Sequence, residues 1–537
     1  MKTNTPKSLF LSSQMQKLKS GQISRRDFMS AALATGLTVP VALGMAGEAM
    51  AMTPKKGGSI VFGFGSGSTT DTLDPATYEA NFNTNCGYMW GNNLVEVDET
   101  GNLIPELATE FSSDDAKTWV FTIRKGVEFH NGKTLTPDDV VASIEHHRKE
   151  GSKSAVGGTL SQIGSIRADG NNVVFELNAA NADFPFVISD YHLLIMPSEG
   201  GEIVDPQSGV GTGGYIIDVY EPGVRFKGRR NPNYFKSDRA HFDEIEGLAI
   251  IDPNARQTAL LNGSVHAIDR VDPKTVALLS RASNVKIAEK ASTTHYTMPM
   301  RVDAAPFDNY DLRMALKLSV KRQELVDKIL LGHGSLGNDH PISPADRFFD
   351  ASLPQREYDP DRAASHYKKS GHSGTIMLSS SDAAFAGAVD AAQLIAASAR
   401  EVGIDIEVVR EPSDGYWSNV WNKKPWCTCF WSGRPTADWS FSAAYTNDTE
   451  WNDTAWRTGK APDRFNAIII EARAELDDNK RRKLYAEATM LLHDDGGALI
   501  PMFANHLMGL SKTISHGEIA ANWELDGAKA AERWWIS

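Results

Sequence analysis

The stretch Thr118-Trp119-Val120-Phe121-Thr122-Ile123-Arg124-Lys125-Gly126-Val127, continued by Phe129-His130-Asn131-Gly132 and Leu135-Thr136-Pro137-Asp138-Asp139-Val140, holds a strand, a turn and a helix start. Trp119, Phe121 and Ile123 alternate with Val120, Thr122 and Arg124, the period of a half-buried strand. Lys125-Gly126 turns the chain. Thr136 can cap, Pro137 suits the first helical position, and Asp138 and Asp139 favour the positive end of the helix dipole. A helix is predicted to about Arg148.

The same alternation recurs outward from this stretch. Helices are predicted over 254–262, 312–331, 359–370, 383–402, 463–476 and 480–492. Short β-branched or aromatic runs at 173–177, 247–251, 404–410 and 427–431 read as strands. Gly58–Phe64 opens as a strand into Gly65-Ser66-Gly67-Ser68. The full G-x-G-x-x-G spacing and its helix are missing, so that turn is read as a loop and not a dinucleotide site. No internal repeat or long linker interrupts this α/β pattern.

Composition narrows the function. Of 537 residues, 41% are apolar and 23% charged, ordinary for a globular chain. No apolar run reaches 18 residues, so no transmembrane helix is expected. A net charge of −13 argues against nucleic acid as a partner, because phosphate binding needs a basic surface. Cys86, Cys427 and Cys429 are too few for a disulfide scaffold, and a bridge from Cys86 to either of the others stays open. No HExxH, P-loop or G-x-S-x-G occurs; no catalytic residue, metal ligand or cofactor is assigned. The adjacent His146 and His147 face about 100° apart on a helix and are read as a solvated pair.

The first 51 residues have the layout of an export peptide. Arg25-Arg26 precede Phe28, a Gly- and Ala-rich apolar run follows from Ala31 to Met45, and Ala49-Met50-Ala51 offers a small-x-small cleavage signal. The paired arginines resemble a twin-arginine signal. No cysteine follows the apolar run, so no lipid anchor is expected. Residues 1–51 carry six Lys/Arg against two Asp/Glu, leaving 486 residues at a net −17.

Beyond the opening stretch, Leu73-Asp74-Pro75, Ile104-Pro105-Glu106-Leu107-Ala108, Gly211-Thr212-Gly213-Gly214-Tyr215, Arg230-Asn231-Pro232-Asn233-Tyr234, Pro306-Phe307-Asp308-Asn309 and Tyr358-Asp359-Pro360-Asp361-Arg362-Ala363 follow in order. Together these segments resemble the extracytoplasmic solute-binding proteins of ABC importers, family 5, the peptide/nickel/opine class. The resemblance implies a two-lobed periplasmic-binding-protein fold of type II with a hinge of two strands. Lobe one would be 52–292 plus 504–537, with an extra subdomain at 98–209, and lobe two 293–503. A monomer in the periplasm would capture a peptide or peptide-like molecule between the lobes and deliver it to an ABC permease and its ATPase.

Seven of the twelve tryptophans fall within residues 417–456, a cluster able to stack an apolar or cationic ligand. Phe430-Trp431-Ser432-Gly433-Arg434-Pro435-Thr436-Ala437-Asp438-Trp439 resembles the ligand-facing segment of the peptide binders, in which an acid after the glycine meets the peptide ammonium. Here Arg434 holds that position, and a guanidinium suits a carboxylate. Asp438 either compensates or pairs with Arg434. Trp431, Arg434, Asp438, Trp439, Glu79, Asn81 and Tyr296 are the ligand-binding candidates. Alternatives are a non-peptide anionic or opine-like solute, a nickel chelate, a sensor subunit of the same fold, or a twin-arginine-exported cofactor enzyme. From this reading, Arg434→Asp is expected to weaken an anionic ligand by about tenfold or more, measured by calorimetry; unchanged affinity would place Arg434 away from the solute.

Overall fold

The computed structural model describes residues 14, 25–35, 54–431 and 436–537. Of the export-peptide region it describes the helix Arg25–Ala34; the apolar run beyond residue 35, the Ala49–Ala51 signal and Arg434 lie outside the described residues. The opening stretch folds as read. Thr118–Ile123 is a strand that buries Trp119, Phe121 and Ile123. The Pro137–Arg148 helix begins where the Thr136 N–H and hydroxyl both donate to Asp139 Oδ2, at 2.9 and 2.8 Å.

A nine-stranded sheet runs through the molecule. Its strands are β1 (Ser59–Phe64), β2 (Tyr215–Glu221), β3 (Arg225–Arg230), β4 (Glu244–Ala249), β5 (Ala267–Ile268), β6 (Val285–Thr297), β7 (Gly334–Leu336), β8 (Cys429–Trp431) and β9 (Met502–Ser511). They order as β2-β3-β4-β1-β5-β9-β6-β8, with β7 on β9. β1 is parallel to β4 and β5, and β6 and β9 are antiparallel. At one end β9 pairs with β5; at the other it pairs with β7 while β6 pairs with β8. The β6–β9 ribbon thus carries the chain between two halves. Its register shifts between Ala291 and His295, where buried Ser292 turns its hydroxyl onto the Ala504 carbonyl (2.8 Å).

Separate apolar cores lie on either side of the ribbon. One gathers Phe62, Phe82, Trp90 and Trp534. A second, around Trp119, Phe121 and Phe175, belongs to a four-stranded antiparallel sheet within residues 108–177. Beyond the ribbon, Leu316, Ile395 and Trp426 form one core and Phe441, Phe465 and Tyr485 another.

Two readings need correction, and one alternative left open is answered. The helix expected over 312–331 is two, Tyr310–Leu318 and Arg322–Lys328. Ser319 ends the first by donating its hydroxyl to the Leu316 carbonyl, the local competition that makes serine a poor helix interior. His146 and His147 are buried, not solvated: His146 Nε2 lies 3.0 Å from Asp74 and His147 Nδ1 2.8 Å from Ser154 Oγ. The cysteines are unbridged and buried, with Cys86 and Cys427 in different cores. Burial pushes the Cys427 thiol up to about 12 and those of Cys86 and Cys429 well up as well.

Burial also pushes His147 and His340 down to about 3 and His506 to about 4. The unfolded chain binds these protons near pH 6.5 and the native state only below about 4. The native state is therefore expected to lose stability as pH falls from about 6.5 toward 4, by up to about 1.4 kcal/mol per unit for each histidine. Thermal melts should show a shallower pH slope in His147→Gln; an unchanged slope would contradict the assignment.

Candidate functional site: an interlobe cavity

A cavity of about 640 Å³ opens at the ribbon between the halves. From the first half come Asn81, Arg270, Trp523 and Glu524; from the second, Tyr296, Phe385 and Phe430. Tyr296 lies on β6 and its ring rests flat on Phe385 (centroids 3.9 Å, interplanar angle 3°). Burial and the nearby Glu524 charge push its hydroxyl up to about 12.

The charged wall is held by unusual backbone. Arg270 follows β5 with φ +49°, and Leu525 to Ala528 beyond Glu524 form a run of positive φ. Such conformations cost of order 1–3 kcal/mol for each non-glycine residue and persist where surrounding structure enforces them. Here Asp526 enforces the run: its carboxylate accepts from Ala520 N (2.8 Å), Trp534 Nε1 (3.0 Å) and Arg533 (3.1 Å). Buried Arg256 pins the other loop by donating to the carbonyls of Ile250, Asp269 and Arg270. Its guanidinium comes within 2.9 Å of where a Cβ on Gly65 would sit, so glycine is needed there. Gly65 N–H in turn donates to Asp269 Oδ1 at 2.7 Å.

Asn81 opens the Asn81–Trp90 helix, and its amide donates to both Asp269 and Glu524. Glu524 Oε2 also accepts from Arg270 (3.2 Å). Burial, then the Glu524 charge, pushes Asp269 up to about 6. The wall thus offers a carboxylate and a half-exposed guanidinium beside stacked rings, features that suit a zwitterion with apolar parts.

The sequence candidates divide. Asn81 and Tyr296 line the cavity. Glu79 is exposed on the loop before Asn81 and does not line it. Trp431 is half-buried and donates its indole N–H to Asp453 (3.3 Å). Trp439 is half-buried in the Ala437–Ala444 helix. Asp438 is buried and pairs with Arg473 (2.8 Å). Arg270, Glu524, Phe385 and Trp523 were missed, since nothing in their local sequence marks them.

Away from the cavity, buried Asp183, next to Phe184 of the core around Trp119, reaches across to the other half. Its carboxylate accepts from Arg481 (2.6 Å) and Arg347 (3.3 Å), both pairs largely buried. Ala182 N–H donates to the Arg473 carbonyl (2.6 Å). Asp438 therefore belongs to this contact.

The halves, the two-strand ribbon and the cavity between them define a two-lobed binding protein of type II. The chain belongs to the bacterial extracellular solute-binding proteins, family 5, whose middle-region model matches residues 102–453. It is 25% identical over 308 residues to Di/tripeptide-binding protein 1 of Pseudomonas aeruginosa, covering 52% of this chain and 57% of that protein. The chain thus matches little more than half the length of such relatives. It is 24% identical to the glutathione-binding protein GsiB of Escherichia coli O6, covering 87% and 93% respectively. The structure of HbpA2 from Haemophilus parasuis superposes with a TM-score of 0.78 at 18% identity, covering 89% of this chain and all of that one.

Removing one cation from the buried Asp183 contact should favour separation of the halves, since Arg347 alone then offsets the carboxylate and breaking a buried pair costs up to about 3–5 kcal/mol. Arg481→Met is expected to raise the radius of gyration of the unliganded chain in small-angle scattering; a superimposable profile would show the contact to be passive.

Proposed function

We propose that this chain is an extracytoplasmic receptor that captures a short peptide or peptide-like zwitterion between its lobes and hands it to an ABC permease and ATPase. The observation that carries this reading is the cavity wall, with Glu524 and Arg270 side by side against Tyr296 and Phe385. A carboxylate takes the ammonium, a guanidinium takes the carboxylate, and the rings cover the apolar remainder. A solute that touches both lobes favours the closed arrangement by the difference in its affinity for the two states. The relatives' names, for di/tripeptide and glutathione binders, point the same way. The lobes are proposed as 52–292 plus 504–537 and 293–503, with 98–209 as the extra subdomain. The protein would be exported by the twin-arginine route, work in the periplasm without a lipid anchor as a monomer, and catalyse no reaction.

Arg270, half-exposed at the wall, also favours a second reading, an opine-like anion. Titration calorimetry of the mature chain with a dipeptide series and an opine tests both. Saturable dipeptide binding is expected, weakened about tenfold or more in Glu524→Gln. Binding of the opine alone would install the second reading, and binding of neither would reject both.

A further inference from the structure

Beside the cavity, Phe430 continues into aromatic rings that the wall just described does not use. Trp417 packs on Phe430 (centroids 5.8 Å) and on Trp421 (5.9 Å), Trp421 on Trp431 (6.1 Å), and Trp431 on Trp451 (6.1 Å). Trp417, Phe430 and Trp451 are 40%, 37% and 51% exposed, so the array opens to solvent at both ends and to the cavity through Phe430.

Behind it sits Asp453, 2% exposed. Its Oδ2 accepts the indole N–H groups of both Trp421 (3.2 Å) and Trp431 (3.3 Å). Among the described residues its Oδ1 has no hydrogen-bond partner and no cation pairs with it. Burial pushes this carboxyl up to about 6, opposed first by the two indole donors and then by the Cys429 thiol. An ionised carboxylate on the N–H edge polarises an indole and makes its face more negative. When ionised, this buried carboxylate is also a negative charge that a cation outside the rings would offset.

We propose that this array is a subsite for a cationic group of the solute, an alkylammonium or guanidinium, held by cation–π attraction over rings charged from behind by Asp453. The proposal rests on the reading of the cavity as the solute site and narrows the solute to one with a positive side group. Each such contact is worth about 0.5–2 kcal/mol, or about two- to thirtyfold in affinity.

Calorimetry of the mature chain with Ala-Lys and with Ala-norleucine, alike in length but not in charge, tests it. Wild type is expected to prefer Ala-Lys by about three- to thirtyfold. Asp453→Asn and, separately, Trp417→Leu should reduce that preference to about twofold or less while Ala-norleucine binding is kept. Equal affinities in wild type, or a preference that survives both substitutions, overturn the proposal; survival would assign the preference to Glu524. If neither dipeptide binds, the peptide reading fails separately, and tetramethylammonium chloride against equal sodium chloride reads the array. A saturable change in tryptophan fluorescence lost in Asp453→Asn supports it, and an identical response to both salts overturns it.

Discussion

The pairing of β6 with β9 is the constraint on which the rest depends. These strands belong to the sheets of both halves, so the halves share backbone hydrogen bonds instead of a side-chain interface alone. A continuous ladder would resist bending. The shift at Ala291–His295 interrupts it at one place, and Ser292 satisfies the carbonyl left there. That interruption lies beside Tyr296, where the ribbon meets the cavity.

The cavity wall shows how stability is spent on function. Arg270 and the Leu525–Ala528 run occupy backbone conformations that non-glycine residues avoid, and both stand at the charged wall of the cavity. The hydrogen bonds of Asp526 and Arg256 are what make those conformations tolerable. Asp526 does not line the cavity and Arg256 lines it with its guanidinium bound to backbone carbonyls, yet each helps to set where Glu524 and Arg270 stand.

Legibility in the sequence followed the range of the interactions. The strand at Thr118–Ile123 and the capped helix at Pro137 rest on alternation and on contacts within four residues, and both were readable. So were the order of the family segments and Tyr296 as a candidate residue. Glu524 and Arg270 are separated by 254 positions, and left-handed backbone at Leu525 or Ala528 has no glycine or asparagine to announce it. The burial of His146 was hidden because its partner, Asp74, lies 72 residues away. The tryptophan cluster was visible as composition, but its polarity was not, because Asp453 looks like any surface aspartate until Trp421 and Trp431 close over it.

The three thiols have a consequence for how such a chain can be made and moved. A thiolate, not a thiol, attacks disulfides and oxidants. With every cysteine buried, and held protonated by that burial, the folded protein offers no handle to either a reducing or an oxidising compartment. It can be folded on one side of a membrane and used on the other with its covalent structure unchanged, independent of the machinery that installs or repairs disulfides.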